Sequence, residues 1–166
     1  MTVPNPVEIF EYDPDWPVQF ERIRRAISSV LGDVALSIEH VGSTSVPGLA
    51  AKPILDIDVV VRTTADVPNA IELLASIGYT HQGDLGIPGR EAFTAPDKTY
   101  QQHLYLLASG AKPLEEHITL RDRLRADRNL VEQYAEIKYR LASEYGDDRE
   151  GYTEAKTEFI RRVLAG

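Results

Sequence analysis

One segment constrains the fold of this chain more than any other: residues 54–61, ILDIDVVV, which follow Pro53. The run is rich in β-branched residues and is bounded by a proline, so it predicts a buried strand. Side chains alternate along a strand, which places Asp56 and Asp58 on the same face. The opposite face is apolar and consists of Leu55, Ile57, Val59 and Val61. The sheet therefore has to accommodate two neighbouring carboxylates on one face.

The two carboxylates have two interpretations. They repel each other, and burial in an apolar strand raises the pKa of at least one of them. A bridging divalent cation removes that penalty, and Mg²⁺ takes hard oxygen ligands of this kind. Alternatively, this face of the strand is solvated, and the aspartates only keep a sheet edge soluble. The D-x-D pattern alone does not decide between these interpretations.

A turn upstream of this strand bears on the choice. Gly42-Ser43 directly follows a strand predicted over residues 34–41 and opens the turn-rich segment GSTSVPG. Backbone N–H groups at such a turn can point at a phosphate, and a serine hydroxyl adds a hydrogen bond. By itself the dipeptide is explained equally well as an ordinary turn. Together with Asp56 and Asp58 it predicts a site for a triphosphate and Mg²⁺.

The rest of the chain mixes strands and helices over its first two-thirds and is helical thereafter. Strands are predicted at residues 7–12, 79–82, 91–95 and 102–107. A helix capped by Asp13 or Asp15 ends at Gly32, and another extends from Asp66 to Gly78. Three amphipathic helices follow, centred on residues 114–124, 130–145 and 152–163. No repeat or linker divides the 166 residues, which predicts a single domain, 1–166.

Composition narrows the classes of partner. A formal net charge of -8 and a pI near 5.0 disfavour a sequence-independent nucleic-acid binder, but they still permit a local basic pocket for a small anion. The absence of cysteine excludes disulfides and thiolate chemistry. The first residues have no basic region followed by an apolar stretch, and no apolar run is long enough to span a bilayer. We therefore expect a cytoplasmic protein without a membrane partner.

Several longer motifs extend the central pattern over almost the whole chain. They are YDPDWPVQFERI at 12–23, EHVGSTSVPGLAAKPILDIDVVV at 39–61, GIPGR at 86–90, QHLYLL at 102–107, HITLRDRLRAD at 117–127, YAEIKYRLA at 134–142 and YTEAKTEFI at 152–160. In these motifs the chain resembles the GrpB-like family of the nucleotidyltransferase superfamily. The resemblance implies an α/β fold of the α+β type: a nucleotidyltransferase-like mixed β-sheet flanked by helices, with a C-terminal helical segment.

The resemblance also implies roles for the central residues. Gly42 and Ser43 would hold nucleotide phosphates, and Asp56 and Asp58 would be catalytic ligands of Mg²⁺ or Mn²⁺. Active members of the superfamily carry a third carboxylate on a later strand. Here that strand offers His103 and Tyr105 without an acid, which puts two-metal catalysis in doubt. Three roles remain open for His103: a ligand for a softer ion such as Mn²⁺ or Zn²⁺, a catalytic base, or a hydrogen-bonded, partly buried histidine without a function in catalysis.

Basic residues supply candidate contacts to the phosphates. Lys52 lies between the turn and the carboxylate strand, and Arg90 ends a glycine-rich loop that is able to cover a ligand. The alternative for each of them is an ordinary solvated surface residue without a ligand. Family membership favours a function for Arg90 more than for Lys52.

Three more basic residues, Arg121, Lys138 and Lys156, lie on the C-terminal helices, match the family pattern and are candidates to complete a positive pocket; the alternative is ion pairing. For Lys138 and Lys156 we expect ordinary ion pairs with neighbouring acids such as Asp122 or Glu154. Among the other histidines, His117 falls on an apolar stripe and is predicted to be a core residue, and His81 is predicted to be at the surface.

Two functions of different class remain open. The first is a metal-dependent nucleotidyltransferase that uses a nucleoside triphosphate and an unknown acceptor. The second is a non-catalytic module that binds a nucleotide or another phosphorylated metabolite, related to the accessory domain of some dephospho-CoA kinases. The missing third acid favours the module, and the retention of both aspartates in an apolar strand favours the enzyme.

Overall fold

The computed structural model describes residues 8–166. Five strands are interspersed with two helices, and three further helices complete the chain. The elements are α1 (Trp16–Leu31), β1 (Ser37–Val41), β2 (Leu55–Val61), α2 (Val67–Ala75), β3 (Thr80–Gly83), β4 (Glu91–Thr94), β5 (Gln102–Ala108), α3 (Lys112–Ala126), α4 (Arg128–Tyr145) and α5 (Arg149–Ala165). Short 3₁₀ turns at Gly32–Val34, Ser43–Ser45 and Thr64–Asp66 join some of them.

The strands form one mixed sheet in the order β1-β2-β5-β4-β3. β2 and β5 are parallel, whereas the other neighbouring pairs are antiparallel. Because β1 runs antiparallel to β2, the end of β1 lies beside the beginnings of β2 and β5. This end of the sheet collects the polar residues described below.

One face of the sheet carries the main apolar core. Leu55, Ile57, Val59 and Val61 of β2 are all buried there, as the alternation predicts. α1 and α2 cover this face through Ile27 and Leu74, which are completely buried. The pattern of β2 thus determines which side of the sheet receives the first two helices.

The C-terminal helices lie on the other face. Leu114 of α3 packs on Val60 and Leu107, while α3, α4 and α5 form a second cluster with the segment that follows the Ser43 turn. In that cluster Val46 and Leu49 are fully buried against Tyr134 and Phe159. The turn is therefore held between the sheet and the helical segment.

The predicted fold class is confirmed, with local corrections. Residues 8–12 do not form a strand; Phe10 makes only an isolated antiparallel bridge with Ala51, and Val7 lies outside the described residues. β1 begins at Ser37 rather than residue 34, because the chain leaves α1 through a 3₁₀ turn. α2 ends at Ala75, so Ile77 lies beyond it. Across the described residues, no helix is long and apolar enough to span a membrane.

Candidate functional site

The polar end of the sheet brings three predicted residues into register. Val41 pairs with Asp56 across β1 and β2, and Asp56 pairs with His103 across β2 and β5. The Gly42-Ser43 turn therefore begins directly beside Asp56. Residues that are distant in sequence meet here because three strand ends coincide.

Gly42 fits this place only as glycine. Its φ of 73° lies in the left-handed region, and a Cβ at this position would overlap Oδ2 of Asp56 and lie 2.9 Å from the Cβ of Asp56. Residues other than glycine rarely adopt this backbone conformation. The turn backbone consequently approaches the Asp56 carboxylate more closely than any substituted residue would allow.

Each aspartate of β2 is paired with a histidine. His103 Nδ1 donates to Asp56 Oδ1 at 3.0 Å, and His117 Nδ1 of α3 donates to Asp58 Oδ2 at 2.6 Å. The Asp56 side chain remains 31% exposed, whereas that of Asp58 is 0% exposed. His117 was predicted as a core histidine; it is partly buried, but its role is to satisfy Asp58.

The complete burial of Asp58 changes its electrostatics. Burial raises the pKa of Asp58, although the hydrogen bond from His117 opposes the rise. Burial by itself would lower the pKa of His117, but the hydrogen bond and charge of Asp58 raise it overall. Oδ1 of Asp58 is also buried and has no hydrogen-bond partner within residues 8–166. Asp58 is therefore a buried carboxylate with one oxygen hydrogen-bonded and the other without a partner among the described residues.

Lys138 is the main departure from the predicted roles. Its side chain is buried, and its ammonium donates to Ser43 Oγ at 2.5 Å and to the Ala50 carbonyl at 3.1 Å, while lying 4.3 Å from the centre of the Tyr134 ring. Burial, with Lys156 and Lys52 nearby, lowers its pKa well below the ordinary value. The predicted ion pair is wrong, because α4 points this side chain at the Ser43 turn.

Lys156 and Lys52 complete a basic cluster around Ser43. Both ammonium groups lie over the Tyr152 ring, at 5.2 Å and 4.9 Å from its centre. Burial and the neighbouring Lys52 lower the pKa of Lys156 to about 8, and burial and Arg149 lower the pKa of Lys52. Among the described residues, none of the three lysines has a carboxylate within ion-pairing distance. The ion pair predicted for Lys156 is therefore also wrong.

The sequence did contain a signal for these two lysines. Tyr134, Lys138 and Leu141 follow the spacing of one helix face, and Tyr152, Lys156 and Phe159 repeat it. The apolar members of both stripes are buried. A lysine on a stripe that is otherwise buried has to find an internal partner, so the same periodicity that defined the stripe also marks the lysine.

The cluster surrounds a cavity of about 270 Å³, here called the lysine cavity. Its lining consists of Ser43, Ala51, Lys52, Ile54, Asp56, His103, Lys138, Tyr152, Thr153 and Lys156. A smaller inner cavity of about 170 Å³ adjoins it and shares Ser43, Asp56 and Lys156, with Gly42 and Arg121 added. The structure thus brings Gly42, Ser43, Lys52, Asp56 and His103 together around two cavities that share part of their lining.

Arg90 and Asp58 line neither cavity. The Arg90 guanidinium lies 4.2 Å from the centre of the Tyr105 ring, and its Nε is buried without a hydrogen-bond partner among the described residues. Since Tyr105 pairs with Asp58 across β5 and β2, Arg90 lies over the second aspartate rather than the lysine cavity. Its predicted phosphate contact stays a prediction.

Two further polar residues hold the surrounding elements. Arg121 Nη1 donates to the His40 carbonyl at 3.2 Å and contacts Glu39 at 3.4 Å, while its Nε pairs with Asp122. His40 is buried, stacks on Phe20 and bonds to Thr44 at 2.9 Å. Burial lowers the pKa of His40 to about 4. These contacts fix α3 and the Ser43 turn against β1.

The residues that could hold a cation are Asp56 and Asp58. Asp56 is accessible from both cavities, and the buried, unpartnered Oδ1 of Asp58 is an oxygen that a hard cation can satisfy. Within residues 8–166 no group of three or more acidic or histidine side chains converges on one point to bind a metal. Any ion would therefore combine these two carboxylates with ligand oxygens and water.

The mixed sheet flanked by helices is a nucleotidyltransferase-like fold. The structure of Cid1 in complex with its short product ApU matches with a TM-score of 0.51 and 13% identity over 77% of this chain and 41% of Cid1. At that identity the likeness establishes the fold alone. It confirms the predicted mixed sheet flanked by helices.

The family is more specific than the fold. The GrpB protein family model matches residues 6–165, and the chain belongs to that family. The crystal structure of conserved protein GrpB from Enterococcus faecalis matches with a TM-score of 0.78 and 29% identity, covering 95% of this chain and 99% of that one.

Relatives with curated names differ in length. UPF0157 protein BH1888 of Halalkalibacterium halodurans is 37% identical over 95% of this chain and 80% of its own length. For UPF0157 protein YqkA of Bacillus subtilis the identity is 35% over 93% of this chain, which spans only 45% of that protein. A dephospho-CoA kinase of Mycolicibacterium paratuberculosis is 26% identical over 94% of this chain and 44% of the kinase.

Proposed function

We propose that this chain binds a nucleoside triphosphate in the lysine cavity and transfers its nucleotidyl group to an acceptor hydroxyl in a metal-dependent reaction. The observation that carries the proposal is the cluster of Lys52, Lys138 and Lys156 around Ser43, with no carboxylate partner among the described residues. Like charges in a partly desolvated cavity repel, and a polyphosphate supplies the missing counter-charge.

The turn and the buried lysine suit phosphate oxygens. Ser43 lines both cavities, and its Oγ accepts a hydrogen bond from Lys138, so a phosphate at the turn would contact the hydroxyl and the ammonium together. Gly42 lets the backbone run close to Asp56, so that a phosphate at the turn would also be near the carboxylate. Lys138 and Lys156 would stabilise the charge that develops on a leaving pyrophosphate.

The metal would be Mg²⁺ or Mn²⁺, held by Asp56 and the free oxygen of Asp58 together with phosphate oxygens. When bound, it would neutralise charge on the reacting phosphoryl group. His117 keeps Asp58 oriented through the other oxygen, at 2.6 Å. The acceptor oxygen would attack the α-phosphorus in line, the bond to the β-phosphate oxygen would break, pyrophosphate would leave, and the hydroxyl proton would pass to solvent.

Calorimetric titration tests the binding part of this proposal. ATP, GTP, CTP and UTP are titrated with and without Mg²⁺ or Mn²⁺ into the wild type, the Asp56→Asn/Asp58→Asn variant and Lys138→Met. We expect Lys138→Met to weaken nucleotide binding by roughly tenfold or more, since a charge-assisted hydrogen bond contributes about 1.5–3 kcal/mol. The matched control is Lys112→Met, because Lys112 is exposed on α3.

The outcomes separate binding from catalysis. Metal-dependent binding that is lost in the double aspartate variant supports the site, and pyrophosphate release abolished by either single Asp→Asn change supports the reaction. A wild type that binds none of the four nucleotides refutes the nucleotide assignment. Binding that Lys138→Met leaves unchanged refutes the assignment to the lysine cavity.

A second candidate is a binding module without catalysis. Asp58 is fully enclosed and paired with His117, and β5 presents His103 and Tyr105 where active superfamily members carry a third carboxylate. The relative named dephospho-CoA kinase, of which this chain spans under half, makes an accessory role a reasonable alternative. Tight nucleotide binding with unchanged binding in Asp58→Asn, and no pyrophosphate release with any acceptor, would favour this candidate.

A further inference from the structure

A third cavity opens beside the lysine cavity at the same end of the sheet. This side chamber has a volume of about 550 Å³ and is lined by residues 93–98 and 100–103 together with Ile54. Ile54 and His103 belong to the linings of both the lysine cavity and the side chamber. The two cavities therefore meet at His103, whose Nδ1 bonds to Asp56.

The direction of the reaction assigns the side chamber a role. In an in-line displacement the acceptor approaches the α-phosphorus from the side opposite to the leaving pyrophosphate. In the sheet, β1 and the Ser43 turn that follows it lie on one side of Asp56, and the Lys138 ammonium donates to Ser43, which suits the pyrophosphate. On the other side of Asp56 in the sheet, β5 places His103, which also lines the side chamber.

The lining of the side chamber differs in chemistry from the lysine cavity. Its charged groups are one acid, Asp97, and one lysine, Lys98, so it has no excess of positive charge. Amide groups of Gln101 and Gln102 stand beside the apolar ring of Phe93. Gln102 accepts from the Tyr79 hydroxyl at 2.8 Å through its oxygen, which leaves its amide hydrogens available to a ligand.

We propose that the side chamber is the acceptor subsite and that it takes a small hydroxyl-bearing molecule without net negative charge. This inference rests on the proposed function, since it assumes nucleotidyl transfer at Asp56. A phosphorylated acceptor would find only Lys98, offset by the neighbouring Asp97, and a polynucleotide would lack a basic track along which to bind. The mixed amide and apolar lining is suited to a compact polar molecule.

The test uses variants that fill the side chamber. Thr94→Trp and Gln101→Trp each place an indole at an exposed lining position, so that one of them keeps the test valid if the other fails to fold. Thr64→Trp is the control, because Thr64 is exposed and follows the far end of β2. Pyrophosphate release from ATP and Mg²⁺ is measured with three acceptor probes. The first probe is a pool of glycerol, glucose, serine and threonine. The second is a pool of glycerol phosphate, glucose phosphate and phosphoserine, and the third is a short single-stranded RNA.

We expect the uncharged and zwitterionic pool to stimulate pyrophosphate release in the wild type and in Thr64→Trp. In the chamber variants this stimulation falls by about tenfold or more, because the indole occupies the acceptor volume. Calorimetric binding of ATP stays within about twofold of the wild type, since the substitutions do not line the lysine cavity.

Three outcomes overturn the inference while leaving the proposed function in place. One is stimulation by the phosphorylated pool or the RNA alone, another is stimulation that survives in both chamber variants, and the last is ATP binding with no stimulation by any probe. If ATP does not bind to the wild type, the proposed function fails and this inference fails with it. Binding and transfer are measured separately, so the two failures are distinguishable.

Discussion

Replacing Lys156 by methionine separates the stability of the fold from its proposed function. The Lys156 ammonium lies beside Lys52 over the Tyr152 ring, and Asp56 is the acid whose charge partly offsets the two lysines. Methionine keeps the length and the apolar contacts of the side chain but removes the charge. We therefore expect Lys156→Met to be more stable than the wild type at neutral pH and at the same time poorer at binding a nucleotide.

The magnitude follows from the pKa of Lys156. Burial lowers it from 10.5 to about 8, so the protonated folded state is disfavoured by up to about 3 kcal/mol. Because the side chain still reaches solvent, we expect a gain of about 1–3 kcal/mol for Lys156→Met at pH 7. The folded pKa lies below the unfolded one, so the unfolded chain binds more protons between about pH 8 and 10.5, and wild-type stability rises with pH across that window.

Urea denaturation at several pH values measures this effect. From about pH 7 to about pH 9, Lys156 contributes an increase in the free energy of unfolding of about 1 kcal/mol, which is absent in Lys156→Met. Lys112→Met serves as the control because its side chain is exposed. Equal stability of Lys156→Met and the wild type at pH 7, with parallel pH profiles, would refute the reasoning that Lys156 is a desolvated ammonium.

Three other perturbations have defined outcomes. Gly42→Ala should destabilise the fold by about 1–3 kcal/mol and abolish nucleotide binding, because the alanine Cβ would overlap Asp56 and the residue has positive φ. A Gly42→Ala variant with the stability and the calorimetric nucleotide binding of the wild type would contradict this. His117→Ala should lower the free energy of unfolding by about 3–5 kcal/mol at neutral pH, since Asp58 loses its partner, and the loss should shrink in the Asp58→Asn background; an equal loss in both backgrounds would show that the pairing is unimportant. The depressed pKa of His40, about 4, makes wild-type stability fall as the pH drops from about 6.5 towards 4, and His40→Gln should have a flatter urea-denaturation profile there; identical profiles would contradict the buried neutral imidazole.

The strand pattern was a reliable guide because it depends on local alternation. β2 forms at residues 55–61, one residue from the predicted start, and its apolar face is buried as expected. The three C-terminal helices also appear where their stripes place them. In contrast, the strand predicted at residues 7–12 fails in its described part, since a single bridge between Phe10 and Ala51 is all the pairing it obtains.

The histidines and lysines were harder to place for a physical reason. A side chain such as Lys138 or His117 has the same local sequence whether it meets water, an acid or a hydroxyl. The partner depends on how α3 and α4 are oriented over the sheet. Ion pairing with a neighbouring acid such as Asp122 or Glu154 was the expectation, and for Lys138 the packing of α4 on the Ser43 turn decided otherwise.

The sequence by itself determined the fold class, the family, the burial of one face of β2 and the presence of Asp56 and Asp58 on the other. These properties follow from periodicity and from motifs that are contiguous in the chain. Only the tertiary structure decided that Lys138 reaches Ser43 across 95 residues, that His117 reaches Asp58 across 59, and that three lysines share one cavity. Contacts of that separation arise when helices pack against a sheet end, and their distances depend on the whole core rather than on any local pattern.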